Sequence, residues 1–270
     1  MIDTGRTGAA RLEDALRAPA RSNRLALVPF MTAGFPDPAG FPALVEQVAA
    51  VCDAVEIGVP FSDPIADGVT IQRASRAALC QGVTLRWVLG ALHKGASGIG
   101  APIVLMSYLN PLLAYGFDAL ARDAAAARIA GIVVPDLPLE ESGPLKAALE
   151  DAGLALVQIV TPATPRERLR SLCEASRGFV YAVTVTGTTG GRIEPGHALL
   201  AYLDSVRAVS SLPVLAGFGI RAPGQAELLR GHADGVIVGS AVVDLLEQGR
   251  DPISFLRGFR AGGDAAERNP

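Results

Sequence analysis

PVLAGFGIRAPGQAELLRGHADGVIVGSA, residues 213–241, holds the pattern on which the fold turns. Two short apolar runs, PVLAGFG from Pro213 and GVIVGSA from Gly235, flank a segment of helix formers, GQAELLRG. Neither run alternates apolar with polar residues, so each reads as a parallel strand buried on both faces. The same unit recurs upstream. ALVPFMTAG from Ala26, AVEIGV from Ala54, PIVLMSY from Pro102, GIVVP from Gly131, ALVQIVTP from Ala155 and FVYAVTV from Phe179 are six further strands. The amphipathic stretches FPALVEQVAAV, IQRASRAALCQG, FDALARDAAAAR, LKAALEDAG, PRERLRSLCEAS and ALLAYLDSVRAVS separate them, and ISFLRGFRAG follows the last. Several of these end at Gly and some begin after Pro or Asp, as helices do.

Eight strand–helix units, one roughly every 25 to 30 residues, predict the α/β class: a single closed (β/α)8 TIM barrel with small additional helices. The open doubly wound sheet is the alternative, but its GxGxxG fingerprint is missing from ALVPFMTAGFPDP at the first strand. No Ser/Gly/Pro-rich linker divides the chain, so residues 1–270 are expected to form one domain. Within it, 1–24 read as an N-terminal helix or cap, and 263–270 as a frayed tail. TLRWVLGALH, Thr84 to His93, predicts a small extra turn or helix.

Composition narrows the function classes. Half of the 270 residues are hydrophobic and 19% are charged, which is far from disordered. A net charge of −3 offers no basic footprint for nucleic acid. No apolar run approaches the about 18 residues of a membrane helix, and the N-terminus lacks a secretory h-region. Cys52, Cys80 and Cys173 are scattered and odd in number, against a disulfide framework or a zinc site. A cytoplasmic, metal-free protein is expected.

In such barrels the chemistry lies at the C-terminal ends of the strands. Strand two carries Glu56 inside an apolar run, where a buried charge is costly. Either it is salt-bridged, or it faces the barrel mouth with a raised pKa suited to proton exchange. The following loop, GVPFSDPIADGVT, adds Asp63 and Asp67. Asp67 fits an N-cap of the next helix as well as it fits catalysis, and Asp63 before Pro64 fits a turn. TVTGTTGGR, Thr184 to Arg192, is either a lid or a solvated loop. Glycines end the last two strands, Gly217 and Gly219 in one and Gly239 beside Ser240 in the other, where barrels often hold phosphate. His93, His197 and His232 form no triad or metal pattern, and no lysine stands at a strand end for Schiff-base chemistry.

VEIGVPFSDPIADGVTIQRAS resembles the signature of the tryptophan synthase alpha subunit family. LVPFMTAGFPDP, GIVVPDLPLEES, FVYAVTVTGTTGG, LAGFGIRAPGQ and GVIVGSAVV extend the likeness, in order, over nearly the whole chain. The resemblance implies cleavage of indole-3-glycerol phosphate to indole and glyceraldehyde 3-phosphate, with no metal or cofactor in this chain. By the same resemblance, Glu56 is the general acid/base, Asp67 binds the indole N–H, and Tyr181 stands beside Glu56. Gly190, Gly219, Gly239 and Ser240 match phosphate-binding positions, and Phe30 and Met106 the walls of the indole pocket. Asp63 and Thr189 match a pair that organises the mobile loops.

The resemblance also implies a pyridoxal-phosphate-dependent beta subunit as partner, in an α2β2 heterotetramer that passes indole between its sites in an allosterically coupled way. A stand-alone lyase releasing free indole would share every one of these residues. A non-catalytic regulatory barrel would be expected to have lost some of them. This chain departs from the family pattern at Val69, where Pro is usual, and at Thr184 and Thr188 in the strand-six loop. The join AAVCDAVE is one residue shorter than in many members and lacks their Gly.

Overall fold

A computed structural model describes residues 6–95, 98–184, 196–217 and 219–265. Its strands are β1 (Ala26–Thr32), β2 (Val55–Gly58), β3 (Ile103–Met106), β4 (Ile129–Val133), β5 (Ala155–Val160), β6 (Val180–Val183), β7 (Val214–Gly217) and β8 (Gly235–Val238). All pair in parallel with their chain neighbours, and β8 closes on β1, so the predicted closed barrel is the fold. The helices are α1 (Gly8–Arg17), α2 (Phe41–Ala49), α3 (Val69–Cys80), α4 (Leu85–Gly95), α5 (Leu109–Tyr115) and α6 (Phe117–Ala126). They continue with α7 (Gly143–Asp151), α8 (Arg166–Ala175), α9 (His197–Arg207), α10 (Pro223–Glu227), α11 (Ser240–Glu247) and α12 (Pro252–Ala265).

Two helices are absent from the sequence reading for identifiable reasons. α5, LNPLLAY, holds Pro111, which reads as a breaker but sits in the first turn, where its missing N–H costs nothing. α11, SAVVDLLE, runs on from the apolar strand β8 without a change of composition, and Gly239 alone divides them. α4, expected as a small turn or helix, is a full helix of 11 residues. α10 shrinks to 5 residues.

The N-terminal end of the barrel is closed by α1. Thr7 caps that helix by accepting from the Ala10 amide at 3.2 Å. Gly8 lies so close to β4 that a Cβ there would sit 3.1 Å from Ala130 Cα. Leu12 and Leu16 are fully buried beneath the strands. On the same end, Asp53 accepts from the Leu27 amide at 2.8 Å and from the guanidinium of Arg24, and Arg260 ties α12 to it at 3.1 Å. This end is built for stability, which leaves the opposite end for loops.

Register decides which side chains meet there. Phe30 pairs with Glu56, and Gly58 with Met106. Paired residues share a face and alternate residues return to it, so Phe30, Glu56, Gly58 and Met106 all face one way. The Phe30 ring lies over Gly58, whose absent Cβ would be 2.4 Å from it. That crossing places Glu56 in the barrel interior.

Candidate active site

Glu56 is 1% exposed, and neither carboxylate oxygen has a hydrogen-bond partner among the described residues. The salt-bridge alternative therefore falls. Burial raises its pKa to about 8, and the negative charge of Asp67 adds to the shift. Such a carboxyl holds its proton at neutral pH.

Asp67 arrives from the loop between β2 and α3. That loop is folded by its own backbone, with the Ile65 amide on Asp63 O at 2.9 Å and the Asp67 amide on Pro64 O at 3.1 Å. The N-cap of α3 is Gly68, without a side-chain bond, so the capping reading of Asp67 is corrected. Only its backbone carbonyl serves the helix, accepting from Gln72 Nε2 at 2.8 Å. The side chain is left to line a pocket with Phe30, Glu56, Ile71, Met106, Tyr181, Ile237, Gly219, Gly239 and Ser240. About 400 Å³ of space lies between these residues, part of it open to solvent. Burial raises Asp67 to about pKa 6, and a hydrogen bond from the Tyr108 hydroxyl holds it from rising further.

Tyr108 is a residue that sequence reasoning missed. It stands two positions past Met106 on the β3 end, and strand-end position was the signal that could have found it. Its hydroxyl oxygen accepts from the Ala66 amide at 2.9 Å, and its ring stacks on Phe61 at 5.1 Å. The Asp67 loop is thus held against β3. Ile71 and Thr32 were missed as well, both lining the adjoining space beside Asp67.

Tyr181 is the second residue of β6, buried among the same groups. Burial, then the charges of Glu56 and Asp67, keep its phenol well above the usual range, so it stays protonated. Its ring occupies the place of a Cβ on Gly217, which would lie 2.5 Å away. Gly217 therefore serves the tyrosine rather than a ligand.

Gly219, Gly239 and Ser240 line the same pocket. Gly219 has φ +87°, in the left-handed region that glycine adopts freely. Gly239 is the N-cap of α11 and Ser240 its first residue, so that helix begins at the pocket lining. Of the remaining expectations, Asp63 is exposed on the loop, accepts from the Ser62 hydroxyl and does not line the pocket. Thr188, Thr189 and Gly190 lie outside the described residues. Thr184 is buried, and its hydroxyl donates to Gly217 O at 2.8 Å, extending the β6–β7 contact. Among the described residues, no group of His, Cys, Asp and Glu could hold a metal ion, and no helix is long and apolar enough to cross a membrane.

A buried neutral carboxyl, a neighbouring carboxylate and a helix N-terminus share one pocket. Together they suit proton transfer to a flat apolar ring that carries a phosphorylated arm.

Comparison with known proteins gives the following. The family model described as Tryptophan synthase alpha chain matches residues 16–259. The tryptophan synthase alpha chain of Desulfovibrio desulfuricans is 46% identical over 248 residues, covering 91% of this chain and 97% of the relative. That of Mycobacterium avium is 45% identical over 242 residues, covering 89% of each. Among solved structures, a chain of Mycobacterium tuberculosis tryptophan synthase superposes with a TM-score of 0.87 at 41% identity, covering 93% of this chain and 97% of that one. The Legionella pneumophila alpha chain gives 0.83 at 30% identity, covering 94% and 97%.

Proposed function

The chain belongs to the tryptophan synthase alpha chain family, and from that premise we propose how its pocket cleaves indole-3-glycerol phosphate. The family's reaction is a carbon–carbon lyase step yielding indole and glyceraldehyde 3-phosphate. The observation that carries the reading is Glu56, buried beside Asp67 with no hydrogen-bond partner among the described residues.

The indole ring lies between Phe30 and Met106, with its N–H on the Asp67 carboxylate. The phosphate rests on the amides of Gly219, Gly239 and Ser240, joined by Gly190 of the strand-six loop. Glu56 gives its proton to the ring carbon that bears the side chain, and the ring becomes a cationic indolenine. Asp67, ionised, stabilises that charge. The Glu56 carboxylate then accepts the proton of the neighbouring side-chain hydroxyl. As a carbonyl forms there, the carbon–carbon bond breaks and its electron pair restores the aromatic ring. Tyr181, neutral and wedged beside Glu56, keeps water from the carboxyl. Asp63 and Thr189 order the loops over the site. Every proton in this scheme comes from side chains or substrate, so the chain needs no cofactor of its own.

The scheme predicts a bell-shaped pH profile. Asp67 must be ionised and Glu56 protonated, so kcat/KM rises through about pH 6 and falls through about pH 8. Because the two groups interact, these limits belong to the pair. Indole release from pH 5 to 9 measures it; a rate that keeps climbing above pH 8 would contradict the assignment.

Membership in the family implies a beta-subunit partner. We place two copies of each chain in the complex, with pyridoxal phosphate in the partner and a cytoplasmic location for both. Exposed apolar side chains beside the pocket mouth support a docking face: Ile65 is 78%, Val69 66% and Leu113 53% exposed. Sedimentation of the mixed subunits should give a two-plus-two particle. Ile65→Asp with Leu113→Asp should weaken association by at least about tenfold, the scale of an interface anchor. Unchanged association would move the face elsewhere.

A further inference from the structure

Outside the pocket, one carboxylate joins three of the loops that build it. Asp244 lies in α11, one turn beyond Ser240. Its Oδ1 accepts from the Thr70 hydroxyl at 3.0 Å, and its Oδ2 from a guanidinium nitrogen of Arg221. Thr70 is in the first turn of α3, directly after the loop that carries Asp67. Arg221 follows Gly219 in the loop after β7, and its amide is held by Gln225 Oε1 at 2.7 Å. One turn further along α11, Glu247 takes both Nε and a terminal nitrogen of Arg73, at 2.9 and 2.7 Å. A second tie thus runs between the same two helices.

We propose that Asp244 is a positioning residue for the lyase reaction, holding the ring end and the phosphate end of the site in one geometry. The proposal rests on the reading above, in which the ring meets Asp67 and the phosphate meets Gly219, Gly239 and Ser240. The two ends belong to different strands and different loops. A substrate that spans them gains from both only if their separation is set in advance, and a displacement of about 1 Å can cost about a hundredfold in rate. Asp244 is not among the residues that line the pocket and is only partly buried, with its side chain 22% and that of Arg221 39% exposed. Ion pairs of that exposure add little to folding stability, so the arrangement is better explained by registration than by stabilisation.

Fragment binding separates the two roles. Indole probes the ring end, and glycerol 3-phosphate the phosphate end, titrated singly and together into the full-length chain. In the wild type each fragment should raise the affinity of the other by about fivefold or more, a coupling typical of linked sites. Asp244→Ala should remove that coupling while leaving each single affinity within about twofold, and kcat/KM for indole-3-glycerol phosphate should fall about tenfold or more. Thr70→Val should reproduce part of the loss, Thr70→Ser should restore it, and Thr70→Val added to Asp244→Ala should cost nothing more. Independent binding of the fragments to the wild type, or full coupling in Asp244→Ala, would overturn the proposal. So would single affinities that fall as far as kcat/KM does, which would mean a merely folded-loop role. Ser240→Asp tests the underlying placement separately: it should weaken glycerol 3-phosphate at least about tenfold through charge repulsion. Unchanged affinity there would overturn the phosphate placement, and the proposal with it.

Discussion

Glu56→Gln should lower kcat for indole release by about a thousandfold while the chain stays folded, since a positioned proton donor is worth about 10²- to 10⁴-fold. Glutamine matches the shape of the neutral carboxyl that Glu56 presents at pH 7, but its amide N–H is far too weak an acid to protonate a ring carbon. The same variant should gain stability at high pH. Burial raises the folded-state pKa of Glu56 from 4.5 to about 8, so the folded chain holds more protons than the unfolded one across that window. Stability therefore falls as pH rises from about 4.5 towards 8, by an amount on the order of a few kcal/mol, because the buried carboxylate must form. Glutamine does not titrate. Thermal unfolding at pH 6 and pH 9 should show a Tm advantage of Glu56→Gln that grows with pH. A constant difference would mean that Glu56 has an ordinary pKa and is not the proton donor assigned here.

Asp67→Asn should lower kcat/KM by about a hundredfold or more, because a preorganised charge aimed at developing charge carries that much. The neutral amide still accepts a hydrogen bond from the ring N–H but does not balance the cationic indolenine. A change of profile accompanies the loss. The acid limb near pH 6 should disappear, since no group there remains to ionise. The alkaline limb should move below pH 8, because the Asp67 charge contributes to holding the Glu56 proton. Loss of rate with both limbs in place would assign Asp67 a structural role instead, such as holding the loop through Tyr108.

Glu56 was legible because an acid inside an apolar strand needs a reason, and the resemblance then attached a role to it. Asp67 could not be separated from an N-cap by spacing, since both functions use the same residue before the same helix. The backbone decided between them: Gly68 takes the cap position, and the freed carboxylate turns inward. α11 escaped the reading because a buried helix and a buried strand share one apolar composition when they are consecutive.

The eight strands, their parallel order and Glu56 as an acid inside an apolar strand were legible in the amino-acid sequence alone, and motif resemblance pointed to Asp67, Gly219, Gly239 and Ser240. All of these are local patterns: periodicity, composition and motif act within one strand–helix unit and survive without knowledge of the others. The burial of Glu56 without a hydrogen-bond partner among the described residues, the reach of Tyr108 to the Asp67 loop, the nesting of Tyr181 over Gly217 and the three-way tie at Asp244 were decided only by the tertiary structure. Each joins residues from different units of the barrel. Their meeting depends on strand register and closure, in which a shift of one residue would turn every side chain to the other face.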